Sequence, residues 1–337
     1  LRTGKPLTRG DGNTAGFPKD GFIHAAYIVG KGIKNRAQLD EMRFDQFNFM
    51  YVVAQPDWKS GDFGLSEETV MARLVHNHVY PPGHSGENLI PGFIAKAHQH
   101  QVKVLLSIQG SRQGEFLPVA GDGGKRALFA RVMAAFVKKY DYDGIEIDWE
   151  QTVDIDKHTL LMTDLRLALN AVSKTGGTPS RAYFLTTALQ TFRTYSPEQA
   201  RRLCGVVDWV NIMTYDMGGG NWGHIPSHNT PLNGMKNALS KWSVFPRDKI
   251  CIGLANYGYR YKGISPGQKS ETSLREKGRS FAYKELPELL GSGWTETYDA
   301  AAEAPYYFSP QKTEFATIDN TRSLSRKLEW VFERQYK

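Results

Sequence analysis

Three carboxylates lie two residues apart in one short segment, GIEIDWE, which contains Glu146, Asp148 and Glu150. A β-strand sends alternate side chains to opposite faces, so this spacing places the three acids on one face and the apolar residues between them on the other. Neighbouring carboxylates repel one another when ionised, and a buried row of them retains at least one proton. Such a row predicts acid–base chemistry or, as an alternative, a site for Mg²⁺ or Ca²⁺.

The chain around these acids alternates between strand-like and helix-like segments. Seven apolar runs are typical of strands buried on both faces of a parallel sheet. They cover residues 22–28, 47–54, 102–108, 144–149, 183–189, 206–214 and 250–255. Helical patterns occupy residues 125–140, 158–174 and 322–334, and a helix start signal lies at 196–199. The alternation predicts either an open doubly wound sheet or a closed (β/α)₈ barrel.

The closed barrel is favoured because no glycine-rich dinucleotide-binding fingerprint follows the first strand. We therefore predict an α/β fold, a (β/α)₈ TIM barrel with a small α+β insertion between strands 7 and 8. The predicted division is a loose leader at 1–20, a catalytic barrel at 21–257, an inserted lobe at 258–320 and a last barrel helix region at 321–337. An eighth strand is not recognised in this sequence. In such barrels the carboxyl ends of the strands hold the active site, so the acidic row points to that end.

Composition excludes several classes of protein and site. The 337 residues are 40% hydrophobic and 23% charged, which is typical of a folded globular protein. With only Cys204 and Cys251, neither a disulfide framework nor a paired-cysteine zinc site is expected. No apolar run approaches the roughly 20 residues of a membrane span. The net charge of +7 comes from scattered Lys and Arg, so we predict no nucleic-acid partner, and we predict no metal or cofactor.

The acidic strand resembles the DxxDxDxE signature of the family 18 glycoside hydrolases, the chitinase family. Asp143, Glu146, Asp148 and Glu150 stand at its four acidic positions, and Glu146 replaces the usual Asp. Glu in place of Asp adds one methylene to this side chain, in a crowded site.

Other segments agree with this resemblance. Ser107–Gly110 is similar to the family's SxGG on the third strand, with Gln109 in place of the first Gly. Residues 213–216, MTYD, match the family's M-x-Y-D on the sixth strand. Further matches in the loop at 222–232 and in the insertion extend the resemblance over roughly residues 22 to 331.

The resemblance implies retaining, substrate-assisted hydrolysis of β-1,4-N-acetylglucosaminide bonds in chitin or chitooligosaccharides, with endo or exo action undecided. Glu150 would protonate the leaving oxygen, in keeping with the raised pKa expected of a buried acid beside Asp148. Asp148 would hold the substrate's 2-acetamido group while its oxygen attacks. Tyr215 would donate to that oxygen, and Glu146 would share a proton with Asp148.

Further residues are predicted to line the sugar site or to support it. The sugar-binding candidates are Met213, Asp216, Trp222, Tyr257, Tyr27 and Phe49. For Trp222 and Tyr257 the alternative is packing beneath a loop, and for Tyr27 and Phe49 it is filling of the barrel. Asp143, Ser107 and Gly110 are predicted to be structural members of the motifs.

Two other functions remain open. A chitinase-like lectin would keep the barrel without catalysis, although such proteins usually lack the acid at the position of Glu150. An endo-β-N-acetylglucosaminidase acting on N-glycans would share the motif but typically lacks the inserted lobe. The resemblance also implies a secreted or extracellular monomer whose partner is chitin or its oligosaccharides, with no membrane association, although no signal peptide is visible.

Overall fold

The central element of the fold is a parallel sheet. The computed structural model describes residues 22–29, 33, 35–54, 56, 89–112, 114–174 and 182–337, so the predicted leader at 1–20 lies outside the described residues. Within these ranges seven parallel strands pair in chain order. They are β1 (Ala25–Val29), β2 (Phe49–Ala54), β3 (Lys103–Gly110), β4 (Gly144–Trp149), β5 (Phe184–Gln190), β6 (Trp209–Met213) and β7 (Ile250–Ile252). The parallel arrangement agrees with the predicted alternation.

Helices connect these strands. They are α1 (Arg36–Glu41), α2 (Ile90–Gln99), α3 (Leu117–Gly121), α4 (Gly123–Lys139), α5 (Ile155–Lys174), α6 (Pro197–Cys204), α7 (Leu232–Ser240), α8 (Leu286–Gly291) and α9 (Thr321–Glu333). The start signal at 196–199 forms a reciprocal capping box, in which Ser196 and Gln199 each accept a backbone N–H of the other. None of the described helices has both the length and the apolar character needed to cross a membrane.

Four predicted strands are shorter in the structure, and the largest differences are at 206–214 and 250–255. The run at 206–214 forms a strand only over Trp209–Met213, because the N–H groups of Val206 and Val207 donate to the Leu203 carbonyl in the turn that ends α6. The run at 250–255 pairs only over Ile250–Ile252. Apolar character alone therefore overestimated the ends of these strands, and at 206–207 the backbone donors serve a turn instead of the sheet.

The sheet curls until its distant strands touch across the interior. Trp209 on β6 contacts Phe49 on β2 edge to face, with ring centroids 5.0 Å apart. The Trp209 Nε1 also donates to the hydroxyl of Tyr51, 3.1 Å away. Among the described residues no strand extends the sheet beyond β7, and the Lys337 N–H donates to the Ile250 carbonyl at its start. Contact between the second and sixth strands is the geometry of a barrel interior.

The chain after β7 forms a second, antiparallel sheet. Its five strands are β8 (Tyr257–Lys262), β9 (Gly278–Ala282), β10 (Thr295–Asp299), β11 (Ala304–Phe308) and β12 (Glu314–Thr317), in the order β10-β11-β12-β8-β9. We call residues 257–317 the antiparallel lobe. It coincides closely with the insertion predicted at 258–320, and it begins one residue earlier.

A buried ion pair lies where the lobe, the barrel and α9 meet. The Lys327 ammonium is fully buried and binds Asp319, which follows β12. The second oxygen of Asp319 accepts from Thr230 Oγ1 at 2.6 Å, and Ser323 Oγ donates to the first at 2.7 Å. Because burial opposes the charged form of Lys327, its pKa is lowered, and the Asp319 charge offsets this. The pair therefore joins three parts of the fold through one carboxylate.

Replacing Asp319 by Ala is expected to destabilise the protein by about 3–5 kcal/mol, because a buried ammonium loses the carboxylate that is bound to it. Urea unfolding followed by circular dichroism measures this change. The double variant D319A/K327M should recover part of the loss, since the uncompensated charge is gone. Glu198→Ala, which breaks the exposed pair with Arg201, serves as the control and should leave the midpoint unchanged. An equal midpoint for D319A and the wild type would contradict the prediction.

Candidate active site

Glu146 lies inside the curled sheet and is 0% exposed. Four neutral side chains donate to its carboxyl group, from Tyr27 (2.8 Å), Ser107 (2.7 Å), Asn211 (2.6 Å) and Thr186 (3.5 Å). Burial raises the pKa of Glu146 to about 7, although the four donors act in the opposite direction. Near neutral pH this group therefore exchanges a proton readily, as a member of a proton-sharing row must.

Asp148 follows two residues later on the same face. Its Oδ1 atom is buried and has no hydrogen-bond partner among the described residues. Burial raises the pKa of Asp148 well above its usual range, and the neighbouring charges of Glu150 and Glu146 raise it further. An unpartnered buried carboxyl oxygen is costly, so it indicates a place where a ligand group supplies the missing hydrogen bond.

Glu150 stands just beyond the end of β4 and is half-buried. Its backbone carbonyl accepts from Gln190 Nε2 at 2.5 Å and from Arg193 Nη2 at 2.9 Å. On the side chain, Gln109 Nε2 donates to Oε1 at 3.2 Å. Burial raises the pKa of Glu150, the charge of Asp216 adds to this, and the Gln109 donor opposes it. A half-exposed carboxyl with a raised pKa suits a group that gives a proton to a ligand.

Tyr215 and Asp216 follow β6 on the opposite side of the opening. Burial and the nearby carboxylates raise the pKa of Tyr215 well above its usual range, so its hydroxyl remains a neutral donor. The Asp216 Oδ1 atom accepts from the hydroxyls of Tyr257 at 2.8 Å and Tyr259 at 2.7 Å. The backbone of Asp216 has a φ of 58°, and its N–H donates to Asn229 Oδ1 at 2.8 Å. The antiparallel lobe thus supplies two side chains to this site.

The predicted sugar-binding residues occupy different depths. Trp222 is 52% exposed and meets Tyr259 edge to face, with ring centroids 6.1 Å apart. Tyr27 places its hydroxyl on Glu146, and Met213 is half-buried at the end of β6. Phe49 is 1% exposed at the start of β2, among the rings of the barrel interior. The structure does not bring Phe49 to the carboxylates. Phe49 and Tyr51 lie on the same inner face of the barrel, and Phe49 is in the layer of side chains below Tyr51.

The three motif residues predicted to be structural have distinct surroundings. Asp143 is buried at the start of β4 and accepts from Val104 N at 2.8 Å and binds His98 Nε2 at 2.7 Å. A Cβ on Gly110 would lie 2.4 Å from the ring of Phe116, so this position has no space for a side chain. Ser107 lies inside the site itself, because its hydroxyl donates to Glu146.

Sequence reasoning missed residues that reach the site from other strands. Asn211 on β6 donates to Glu146 and also to the hydroxyls of Tyr51 (3.0 Å) and Tyr27 (3.1 Å). Tyr259 on β8 was missed as the second donor to Asp216. A signal for Asn211 was present, since a polar residue interrupts the apolar run WVNIM on the face shared with Met213. Among the described residues no three His, Cys, Asp or Glu side chains are grouped so as to hold a metal ion.

Comparisons with solved structures support the fold. The chain is similar to a plant class V chitinase mutant from Cycas revoluta in complex with (GlcNAc)₃, with a TM-score of 0.74 and 18% identity, covering 94% of this chain and 93% of that one. A class V chitinase mutant from Nicotiana tobaccum in complex with NAG4 gives a TM-score of 0.75 at 18% identity, covering 93% and 91%. These likenesses confirm the predicted (β/α)₈ barrel-type fold.

Sequence comparisons identify the family. Chitinase A1 of Niallia circulans is 26% identical over 273 residues, which are 68% of this chain and 38% of that protein. Chitinase 1 of Aphanocladium album is 26% identical over 338 residues, covering 92% and 78%. The chain therefore spans well under half the length of the first relative and about three quarters of the second. The family model for glycosyl hydrolases family 18 matches residues 67–337, most of the sequence. The chain belongs to this family, as the acidic strand predicted.

Proposed function

We propose that this protein hydrolyses β-1,4-N-acetylglucosaminide bonds in chitin or chitooligosaccharides by a retaining, substrate-assisted mechanism. The observation that carries the proposal is the buried, unpartnered Oδ1 of Asp148, which lies between a buried proton-sharing Glu146 and a half-exposed Glu150. The two solved plant chitinases are in complex with N-acetylglucosamine oligomers, and this supports the class of sugar. Burial raises the pKa of both Glu150 and Tyr215, which favours the protonated form of each.

In the first step Glu150 donates its proton to the glycosidic oxygen as the bond from that oxygen to C1 breaks. The 2-acetamido oxygen of the same sugar attacks C1, and an oxazolinium ion forms. Water then adds to C1, and the Glu150 carboxylate takes the proton from that water. The oxazolinium ring opens, which restores the acetamido group and leaves C1 with retained configuration. A raised pKa keeps Glu150 protonated for the first step, and its partial exposure admits water for the second.

Asp148 orients the nucleophile in this scheme. Its unpartnered oxygen accepts the acetamido N–H, and its negative charge stabilises the positive charge that develops on the oxazolinium ion. Asp148 must ionise to do so, and its proton passes to Glu146, whose pKa of about 7 suits a shared proton. The hydroxyl of Tyr215 donates to the acetamido oxygen and fixes its direction of attack.

The same proposal extends to the sugar contacts and the setting of the enzyme. Trp222 presents an exposed indole at the loop after β6, where it would stack on a sugar ring. Met213, Asp216 and Tyr257 line the opening beside it. Polymeric chitin lies outside cells, so we place the enzyme there, and we propose that it acts as a monomer.

Replacing Glu150 by Gln should lower the hydrolysis of N-acetylglucosamine tetramer to hexamer by about 10³-fold, because the proton donor is lost. Product release measured by chromatography gives the rate, and calorimetry gives the affinity, which should stay within a few-fold. Glu329→Gln changes an exposed carboxyl on α9 and serves as the matched control. Equal rates for E150Q and the wild type would exclude Glu150 as the acid. Tight binding without hydrolysis in the wild type would instead identify a lectin.

The pH dependence should follow the proton on Glu150. Because this group acts in its protonated form, kcat/KM is expected to fall as the pH rises through its pKa. Burial raises that pKa above the ordinary value of 4.5, so the midpoint of the alkaline limb should lie above pH 4.5. Initial rates on the hexamer between pH 3 and 9 measure it. A midpoint at or below 4.5 would show that another group controls this limb.

Replacing Trp222 by Ala should raise KM for the hexamer about fivefold to tenfold, with kcat little changed, since a stacking surface away from the reacting bond is removed. Ile225→Ala is the matched control, because it removes another exposed apolar side chain from the same loop. Steady-state kinetics on the tetramer and hexamer compare the two variants. The same KM in W222A and I225A would show that the indole does not contact sugar.

A further inference from the structure

Gln109 lies at the carboxyl end of β3, directly beside the acidic row. Its Cα pairs in register with that of Asp148 on β4. Its Nε2 donates to Glu150 Oε1 at 3.2 Å, and its interaction with Asp148 lowers the pKa of that carboxyl group against the larger effect of burial. The family signature has Gly at this position, so a side chain stands here where the pattern provides none.

We propose that Gln109 is a positioning residue of this active site, whose amide bridges Asp148 and Glu150, holds the acid's carboxyl group toward β3 and stabilises its ionised form. The inference rests on the proposed hydrolase function for its role in catalysis. The bridge itself is a property of the protein without substrate.

The chemistry of the amide fits this place. A glutamine amide carries two N–H donors, so one group can serve two carboxyl groups at once. The sheet fixes the position of Gln109, because the carbonyl of Gly110, the residue after it, accepts the Glu150 N–H at 3.0 Å. Glu150 itself lies just past the end of β4. The end of β3 therefore orients the acid through Gln109.

The electrostatics around Glu150 give this neutral donor its effect. Among the described residues, the titratable groups that face Glu150 are neutral or negative: Asp148 on β4, Tyr215 and Asp216 after β6, and Glu115 before α3. Arg193 binds the backbone carbonyl of Glu150. Burial and these charges disfavour the carboxylate that remains after proton transfer. A hydrogen bond to an ionised group is stronger than one to a neutral group, so the amide stabilises the product of that step.

The test replaces Gln109 by Met, which keeps the length of the side chain and removes both donors. In Q109M the alkaline limb of kcat/KM on the hexamer should move to higher pH, and kcat should fall about tenfold with KM within twofold of the wild type. The ¹³C carboxyl signal of Glu150, identified by its loss in E150Q, should titrate at a higher pH than in the wild type. Gln46→Met changes an exposed glutamine and should alter neither readout.

The outcomes separate this inference from the proposed function. An unchanged titration midpoint of Glu150 in Q109M overturns the bridge and leaves Gln109 as a space-filling residue, because Met fills the same space. A wild type that hydrolyses no oligomer overturns the proposed function, while a raised midpoint in Q109M still supports the bridge. If Q109M melts at a lower temperature than the wild type, Q109A is the second variant. The titration midpoint of Glu150 is then read in Q109A with the same two outcomes.

Discussion

The structure depends on burying Glu146 inside the curled sheet, where none of the described residues places a positive charge beside it. A buried carboxyl group is tolerated when neutral donors satisfy its oxygens or when it holds a proton. Here both conditions apply, since the hydroxyls of Tyr27 and Ser107 and the amide of Asn211 converge on Glu146 and its pKa lies at about 7. A cation in their place would hold the carboxylate ionised and end its exchange of protons with Asp148.

This constraint ties the chemistry to the closure of the sheet. The donors to Glu146 come from β1, β3, β5 and β6, so the carboxyl group is fully satisfied only when distant strands curl toward one another. The apolar layer below supports that curl, where Phe49 and Trp209 meet across the interior at 5.0 Å. Packing of that layer is what brings Asn211 within 2.6 Å of Glu146. The stability of the apolar layer around Phe49 and Trp209 is therefore linked to the reactivity of the polar layer around Glu146.

Residues within one strand were predictable from sequence, whereas contacts between strands were not. Period-two alternation placed Glu146 and Asp148 inward and Glu150 at the opening, because this rule needs no knowledge of neighbouring strands. The same rule cannot distinguish depth, so Phe49 and Tyr51 share a face although only Tyr51 reaches the polar layer. Asn211 was missed for the same reason, since its role exists only after closure. Strand ends were misjudged where turns captured backbone donors.

The antiparallel lobe contributes to the electrostatics of the acid as well as to the shape of the opening. Tyr257 and Tyr259, on its first strand, donate to one oxygen of Asp216, an arrangement suited to an ionised carboxylate. The charge of Asp216 in turn raises the pKa of Glu150. On the other side, Gln109 acts in the opposite direction. The acidity of Glu150 is therefore set first by burial, which favours the protonated form, and then by two side chains of opposite effect, Gln109 on β3 and Asp216, which the lobe holds in place.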